Sequence, residues 1–271
     1  MSIDAAGHAD RIMAAIDSAT PLRPLTADDP GFDVASGYAV LAQLHARRLA
    51  RGWHPVGRKI GFTNRTIWAR YGVDRPMWSH VWDRTLTSAV DGRASLSLEG
   101  FMEPRIEPEV VFRLKRALPA GNDGEALLAA IEWIAPGFEI VHSVFPGWRF
   151  GAPDCTAAFG LHAALVVGTP FPVLDGQRAG LAKRLPEFTL SLHCADRAVE
   201  TGRGDNVLGS PLNALAHLRD LLAAQPQFPA LAAGEIVTTG TLTDAWPVKA
   251  GEHWTSDYTT LGIDGLHLEL R

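Results

Sequence analysis

Val34, Tyr38, Leu41 and Leu44 recur at intervals of four and three residues, which is one face of a helix. Arg47, Arg48 and Arg51 gather at its C-terminal end, where the helix dipole favours cations, and Gly52 is a stop signal. Ile12, Met13 and Ile16 form a shorter apolar stripe ahead of it, and Pro21, Pro24 and Pro30 mark an extended connector between the two. The pattern predicts a helical N-terminal segment over 1–55, packed on the main body or on a neighbouring subunit. From Val56 the texture changes to short apolar alternations punctuated by glycine. Strands are expected at 57–63, 103–114, 138–141, 159–167, 188–193, 234–241 and 266–270. Tyr71–Thr85 is aromatic-rich and reads as a long ordered loop or lid. Asn122-Asp123 caps a helix that runs through Glu125, Leu127, Leu128 and Ile131, with Pro136-Gly137 as its breaker. Ser210-Pro211 opens a helix with Leu212, Leu215, Leu218 and Leu222 on its buried face. Strands dominate 56–271 without the regular βαβ alternation of a doubly wound sheet.

One strand carries candidate chemistry. In Arg105-Ile106-Glu107-Pro108-Glu109-Val110-Val111-Phe112-Arg113-Leu114, residues two apart share a face. Ile106, Pro108, Val110, Phe112 and Leu114 point one way, and Arg105, Glu107, Glu109, Val111 and Arg113 the other. The two carboxylates then sit about 7 Å apart at their Cβ atoms. Like charges so placed repel, and a divalent cation bridging them removes the repulsion. Oxygen-only ligands favour Mg²⁺, Ca²⁺ or Mn²⁺ over Zn²⁺. A solvated edge strand pairing its acids with Arg105 and Arg113 is the alternative. Glu139, in the apolar run Phe138–Val141, is a third carboxylate: either an outward-facing alternation position, or a buried group that is costly unless paired or metal-bound.

Composition narrows the field. The chain has 271 residues, 46% of them hydrophobic, and a net charge of -5, without a Lys/Arg run. Neither nucleic acid nor a membrane is an expected partner. Met1–Ala19 lacks the apolar core of a signal peptide, and Cys155 and Cys194 make no paired-thiolate spacing. A reducing cytoplasm is the expected location. Nucleophile-elbow, Walker and His-Glu-x-x-His signatures are missing.

Six motifs occur in order: Gly57-x-Lys59-Ile60-Gly61-x-Thr63, Tyr71-Gly72-Val73-Asp74-x-Pro76, Pro104-Arg105-Ile106-Glu107-Pro108-Glu109, Glu139-Ile140-Val141, Leu208-Gly209-x-Pro211-x-x-Ala214 and Gly234-x-Ile236-x-x-x-Gly240-Thr241. Together, over residues 35–271, they resemble the fumarylacetoacetate hydrolase superfamily, and within it the 2-keto-4-pentenoate hydratase and 4-oxalocrotonate decarboxylase branch. The resemblance implies an α+β fold: a mixed, curved β-roll of the fumarylacetoacetase C-terminal type over 56–271. It implies Mg²⁺ or Mn²⁺ on Glu107, Glu109 and Glu139, and a 2-oxo acid as substrate. Lys59 would neutralise the substrate carboxylate or act as acid/base, with Thr63, Arg105 and Thr241 as substrate contacts. A homo-oligomer is implied, with possible association with a related decarboxylase or hydratase.

The chain also departs from its relatives. Met77-Trp78 stand where many hydratases carry an acid; Asp83, a little later, is either the substitute or a helix or turn cap. His142 replaces the Asp of the usual Glu-Ile-Val-Asp-Ser run, and His142 and His162 are each either a candidate acid/base or a core histidine. The expected reaction is hydration of 2-hydroxypenta-2,4-dienoate-like products of aromatic ring cleavage. A 4-oxalocrotonate-type decarboxylase, a β-diketone hydrolase and a degenerate metal-binding homologue are the alternatives.

Overall fold

Two sheets carry residues 3–271, the part of the chain that the computed structural model describes. The larger contains β1 (Pro55–Gly61), β2 (Met77–Trp82), β3 (Leu86–Ser88), β5 (Arg105–Leu114), β6 (Ile131–Val141), β7 (His162–Val167), β8 (Phe171–Pro172), β11 (Ile236–Thr238) and β12 (Trp246–Pro247). Its order is β2-β1-β11-β5-β6-β7-β3, with β12 added to β5 and β8 to β6. The smaller contains β4 (Arg93–Leu96), β9 (Thr189–Cys194), β10 (Arg197–Arg203), β13 (His253–Asp257) and β14 (Leu266–Leu270), in the order β10-β9-β13-β14-β4. The larger sheet curls into a half-barrel, and the protein is the α+β fold that the sequence predicts.

The two-residue period decides what each face does. Ile106, Phe138, Ile140, Ala164 and Val166 pack against Leu192, Trp254, Leu266 and Leu268 of the smaller sheet. Further along β5, Val110, Phe112 and Leu114 meet the helices instead. The opposite face of β5 and β6 carries Glu107, Glu109 and Glu139, then a small apolar cluster that includes Val81, Val111, Ala135 and Leu165. Both faces of these central strands are therefore covered.

The N-terminal helices Ala5–Asp17 and Val34–Ala50 are capped by Asp4 and Asp33, whose side chains accept the Gly7 and Ser36 backbone N–H groups. Ile12, Met13, Tyr38, Leu41 and Leu44 belong to the same apolar core as Ile60, Trp78 and Phe112. These helices are packed on the sheet of their own chain.

Three local expectations need correction. Within Tyr71–Thr85, Met77–Trp82 is a fully buried strand paired antiparallel with β1, so the loop is confined to the residues before it. Its aromatic residues are core, with Trp78 and Trp82 completely buried. The helix capped by Asp123 is only Gly124–Leu128, and Ile131 already belongs to β6. Pro136-Gly137 does not break anything: β6 runs through it. Pro136 sits where β6 changes neighbour from β8 to β7, which makes its missing N–H tolerable. Gly137 is required because a Cβ there would lie 2.5 Å from Val111 Cγ2.

Candidate metal centre and substrate pocket

Antiparallel pairing sets Glu107 on β5 directly opposite Glu139 on β6, with Glu109 opposite Gly137. One carboxylate oxygen from each of Glu107, Glu109 and Glu139 lies within 4.8 Å of the others. Glu109 and Glu139 are fully buried, and Glu107 is half-buried at the pocket wall. Like charges facing each other across a ladder destabilise it, so this arrangement calls for a cation.

Partners hold each acid from behind. Glu109 Oε2 accepts from the Gly240 N–H at 2.7 Å and from the Thr238 hydroxyl. Glu139 Oε1 accepts from His162 Nδ1 at 2.7 Å. Burial, opposed by that bond, keeps His162 below the ordinary histidine range. The neutral ring then carries its proton on Nδ1, facing the carboxylate, and Nε2 accepts from the Thr85 hydroxyl at 2.9 Å. This orients Glu139 as outer groups orient a ligand.

Burial lowers the affinity of Lys59 for its proton, but Glu139, Glu107 and Glu109 outweigh burial and raise its pKa. The ammonium donates to the Gly160 carbonyl at 2.9 Å and lies 3.4 Å from Glu139 Oε2. Burial, then Glu139, push Glu107 up against the opposing pull of Lys59. Burial, then Glu139 and Glu107, push Glu109 well up. Glu139 stays low because Lys59 and His162 outweigh its burial.

A divalent cation fits these residues. Among the described residues, Glu109 Oε1 is buried with no hydrogen-bond partner, and Glu139 Oε2 has only the Lys59 ammonium, at 3.4 Å. Unsatisfied carboxylate oxygens in a buried site are costly, and three converging hard oxygens are the donor set of a hard divalent ion.

The pocket beside the cluster is lined by Lys59, Phe62, Thr63, Tyr71, Glu107 and Trp148, and also by Arg70, Thr241 and Asp244. Thr63 and Thr241 lie in the wall, but their hydroxyls donate to the Thr239 and Thr243 carbonyls. Arg105 stacks over Trp148 at 4.0 Å and donates to the Tyr71 hydroxyl at 3.1 Å. Tyr71 in turn stacks on Phe150.

Two expected acid/base residues are elsewhere. Asp83 is exposed, outside the pocket, and accepts from the backbone and ring of His54. With Met77–Trp82 in the sheet, the turn after β2 carries Asp83 away from the cluster. His142 is buried with Nδ1 toward the Met102 N–H, in the wall of a different cavity. The spacing gave no warning of Arg70, Trp148 or Asp244, which come from three separate connecting segments: the helical turn Trp68–Tyr71, the 3-10 turn Pro146–Trp148 and the stretch between β11 and β12.

No family model matches the chain. A 4-oxalocrotonate decarboxylase from Pseudomonas sp is 31% identical over 245 residues, 90% of this chain and 89% of that protein. A 2-hydroxyhexa-2,4-dienoate hydratase from Comamonas testosteroni is 31% identical over 246 residues, with the same shares. Among solved structures, a 4-oxalocrotonate decarboxylase from Pseudomonas putida G7, complexed with magnesium and adipate, matches at TM-score 0.87 and 25% identity, over 98% of this chain and 97% of that one. A fumarylacetoacetate hydrolase family protein from Yersinia pestis shares the fold at TM-score 0.54 and 14% identity, over 80% of this chain and 94% of that one.

Proposed function

The chain belongs to the family of 2-keto-4-pentenoate hydratases and 4-oxalocrotonate decarboxylases, and on that premise we propose that it hydrates 2-hydroxypenta-2,4-dienoate-like products of aromatic meta-cleavage. The observation that carries this reading is the convergence of three carboxylates and a buried lysine on one pocket. Glu107, Glu109 and Glu139 would hold Mg²⁺ or Mn²⁺. The bound ion would supply Lewis acidity at the carboxylate and C2 oxygen of a 2-oxo acid.

The remaining work falls to the chain's own side chains. Lys59 neutralises the substrate carboxylate and stays protonated while doing so. Phe62, Ile67 and Trp148 exclude water from the conjugated chain. Hydration adds one water: the C2 hydroxyl gives up its proton as the far carbon of the dienol gains one, leaving a 2-oxo-3-ene, and water then adds with its hydroxide equivalent at C4 and its proton at C3. Tyr71 and Asp244 are the pocket groups outside the carboxylate–lysine cluster able to pass such protons. Arg105 donates to the Tyr71 oxygen, which leaves the phenolic hydrogen for another acceptor. The same reading carries a cytoplasmic homo-oligomer, on the support of the family resemblance.

Decarboxylation is the second reading. It is favoured by the 31% identical decarboxylase and by Arg105, a half-buried guanidinium at the pocket edge with no carboxylate partner among the described residues. One assay separates the two. The protein is incubated with Mg²⁺ and either 2-hydroxypenta-2,4-dienoate or 2-oxohex-3-enedioate, following ultraviolet loss and CO₂. Loss of absorbance without CO₂ is the expected result, and CO₂ release supports the second reading. Turnover of neither substrate by metal-loaded protein overturns both. Glu107→Ala is expected to lose metal binding and turnover together, and an active Glu107→Ala protein would sink the proposed site.

A further inference from the structure

A second cavity, of about 270 Å³, opens behind the carboxylate cluster. Arg48, Arg84, Thr85, His142 and His162 line it above an apolar floor, and it shares no lining residue with the Lys59 pocket. Arg48 is 5% exposed, unusual for a guanidinium. Its charge lies 3.7 Å from the Phe159 ring centre and 4.5 Å from that of Trp53. Arg84 lies 5.5 Å from the same Trp53 ring, so one indole serves two cations.

Ring contacts use the face of a guanidinium, while its N–H groups point outward in the plane. Those edges remain unspent. Among the described residues, Arg48 Nη1 is buried with no hydrogen-bond partner. Asp17, the acid whose charge reaches Arg48, is engaged with Arg51 at 2.8 Å. Glu99 is exposed where it borders the cavity. His142 adds a donor: its Nδ1 faces the Met102 N–H, which puts the ring proton on Nε2. A cavity with two guanidiniums lacking carboxylate partners among the described residues, an imidazole N–H and an apolar floor is matched by an oxyanion on a small apolar body.

We propose that this cavity is a second binding site, for a carboxylate or phosphate group, separate from the metal pocket and independent of the reaction assigned to it. The test is calorimetric titration of the magnesium-loaded protein at fixed ionic strength, with benzoate in one arm and inorganic phosphate in the other. Saturable one-to-one binding is expected in at least one arm, and the tighter arm assigns the source of the oxyanion. Affinity should fall at least tenfold in Arg84→Ala and in Arg48→Met, and stay within twofold in Lys59→Gln, each checked for folding by circular dichroism. Arg84 is exposed, so Arg84→Ala decides the matter even if a buried variant fails to fold. No saturable binding in either arm, wild-type affinity in a folded arginine variant, or loss in a folded Lys59→Gln protein overturns the proposal.

Discussion

Glu107 is the residue on which two opposing energies meet. Across the ladder it faces Glu139, and burial leaves little water to screen the pair. Removing its charge is therefore expected to act in opposite directions with and without metal. In chelator, Glu107→Gln should raise stability by about 1 kcal/mol, the scale of a like-charge pair directly opposed on adjacent strands. In magnesium, the wild type should gain stability through binding and Glu107→Gln should not. Thermal melts in EDTA and in saturating Mg²⁺ check both signs, and a variant that melts lower in both would contradict the picture. Lys59 is not interchangeable with the ion, because its ammonium already spends one donor on the Gly160 carbonyl.

At the scale of elements, the cluster depends on a turn as much as on strands. Gly240 has φ 98°, and a Cβ there would fall 1.9 Å from Thr63 Oγ1. Its N–H holds Glu109 Oε2. Gly240→Ala is expected to cost roughly 1–3 kcal/mol through this strain and to weaken metal binding, measured by urea unfolding and by metal titration. The alternation of β5 was legible residue by residue: Glu107 and Glu109 do share a face. What alternation cannot supply is register, the fact that Glu107 pairs with Glu139 and not a neighbour, because period two repeats identically along both strands. Pro136-Gly137 obscured it further by reading as a breaker inside the partner strand. The same limit explains Asp83. Its segment is apolar and aromatic without clear alternation, since β2 is buried on both faces. Pocket residues such as Asp244 and Trp148 sit on loops whose convergence only the fold provides.

For the whole molecule, buried histidines set the response to acid. Burial, then Arg58, hold His80 far below the ordinary histidine value, and burial, then His162 and Arg48, bring His142 down to about 4. A histidine with a depressed folded pKa contributes stability above about pH 6.5 and loses it as pH falls toward the folded value. Each should cost about 1.4 kcal/mol per pH unit within that window. The raised Glu107 and Glu109 have the opposite sign in metal-free protein, because the folded state binds their protons first. Acid destabilisation between pH 6 and 4 is therefore expected to be steeper in magnesium than in EDTA, measured by urea unfolding across pH, and equal slopes would contradict it. The pairing of β5 with β6 carries a further consequence, in time rather than in equilibrium. These strands are joined by only the short stretch 115–130, so closing that hairpin is a local event suited to an early step of folding. A hairpin closed at that step would bring Glu107 against Glu139 ahead of the longer-range pairings of the sheet. Refolding in magnesium should then outpace refolding in chelator by stopped-flow fluorescence, with the ion acting on the barrier as well as on the final state.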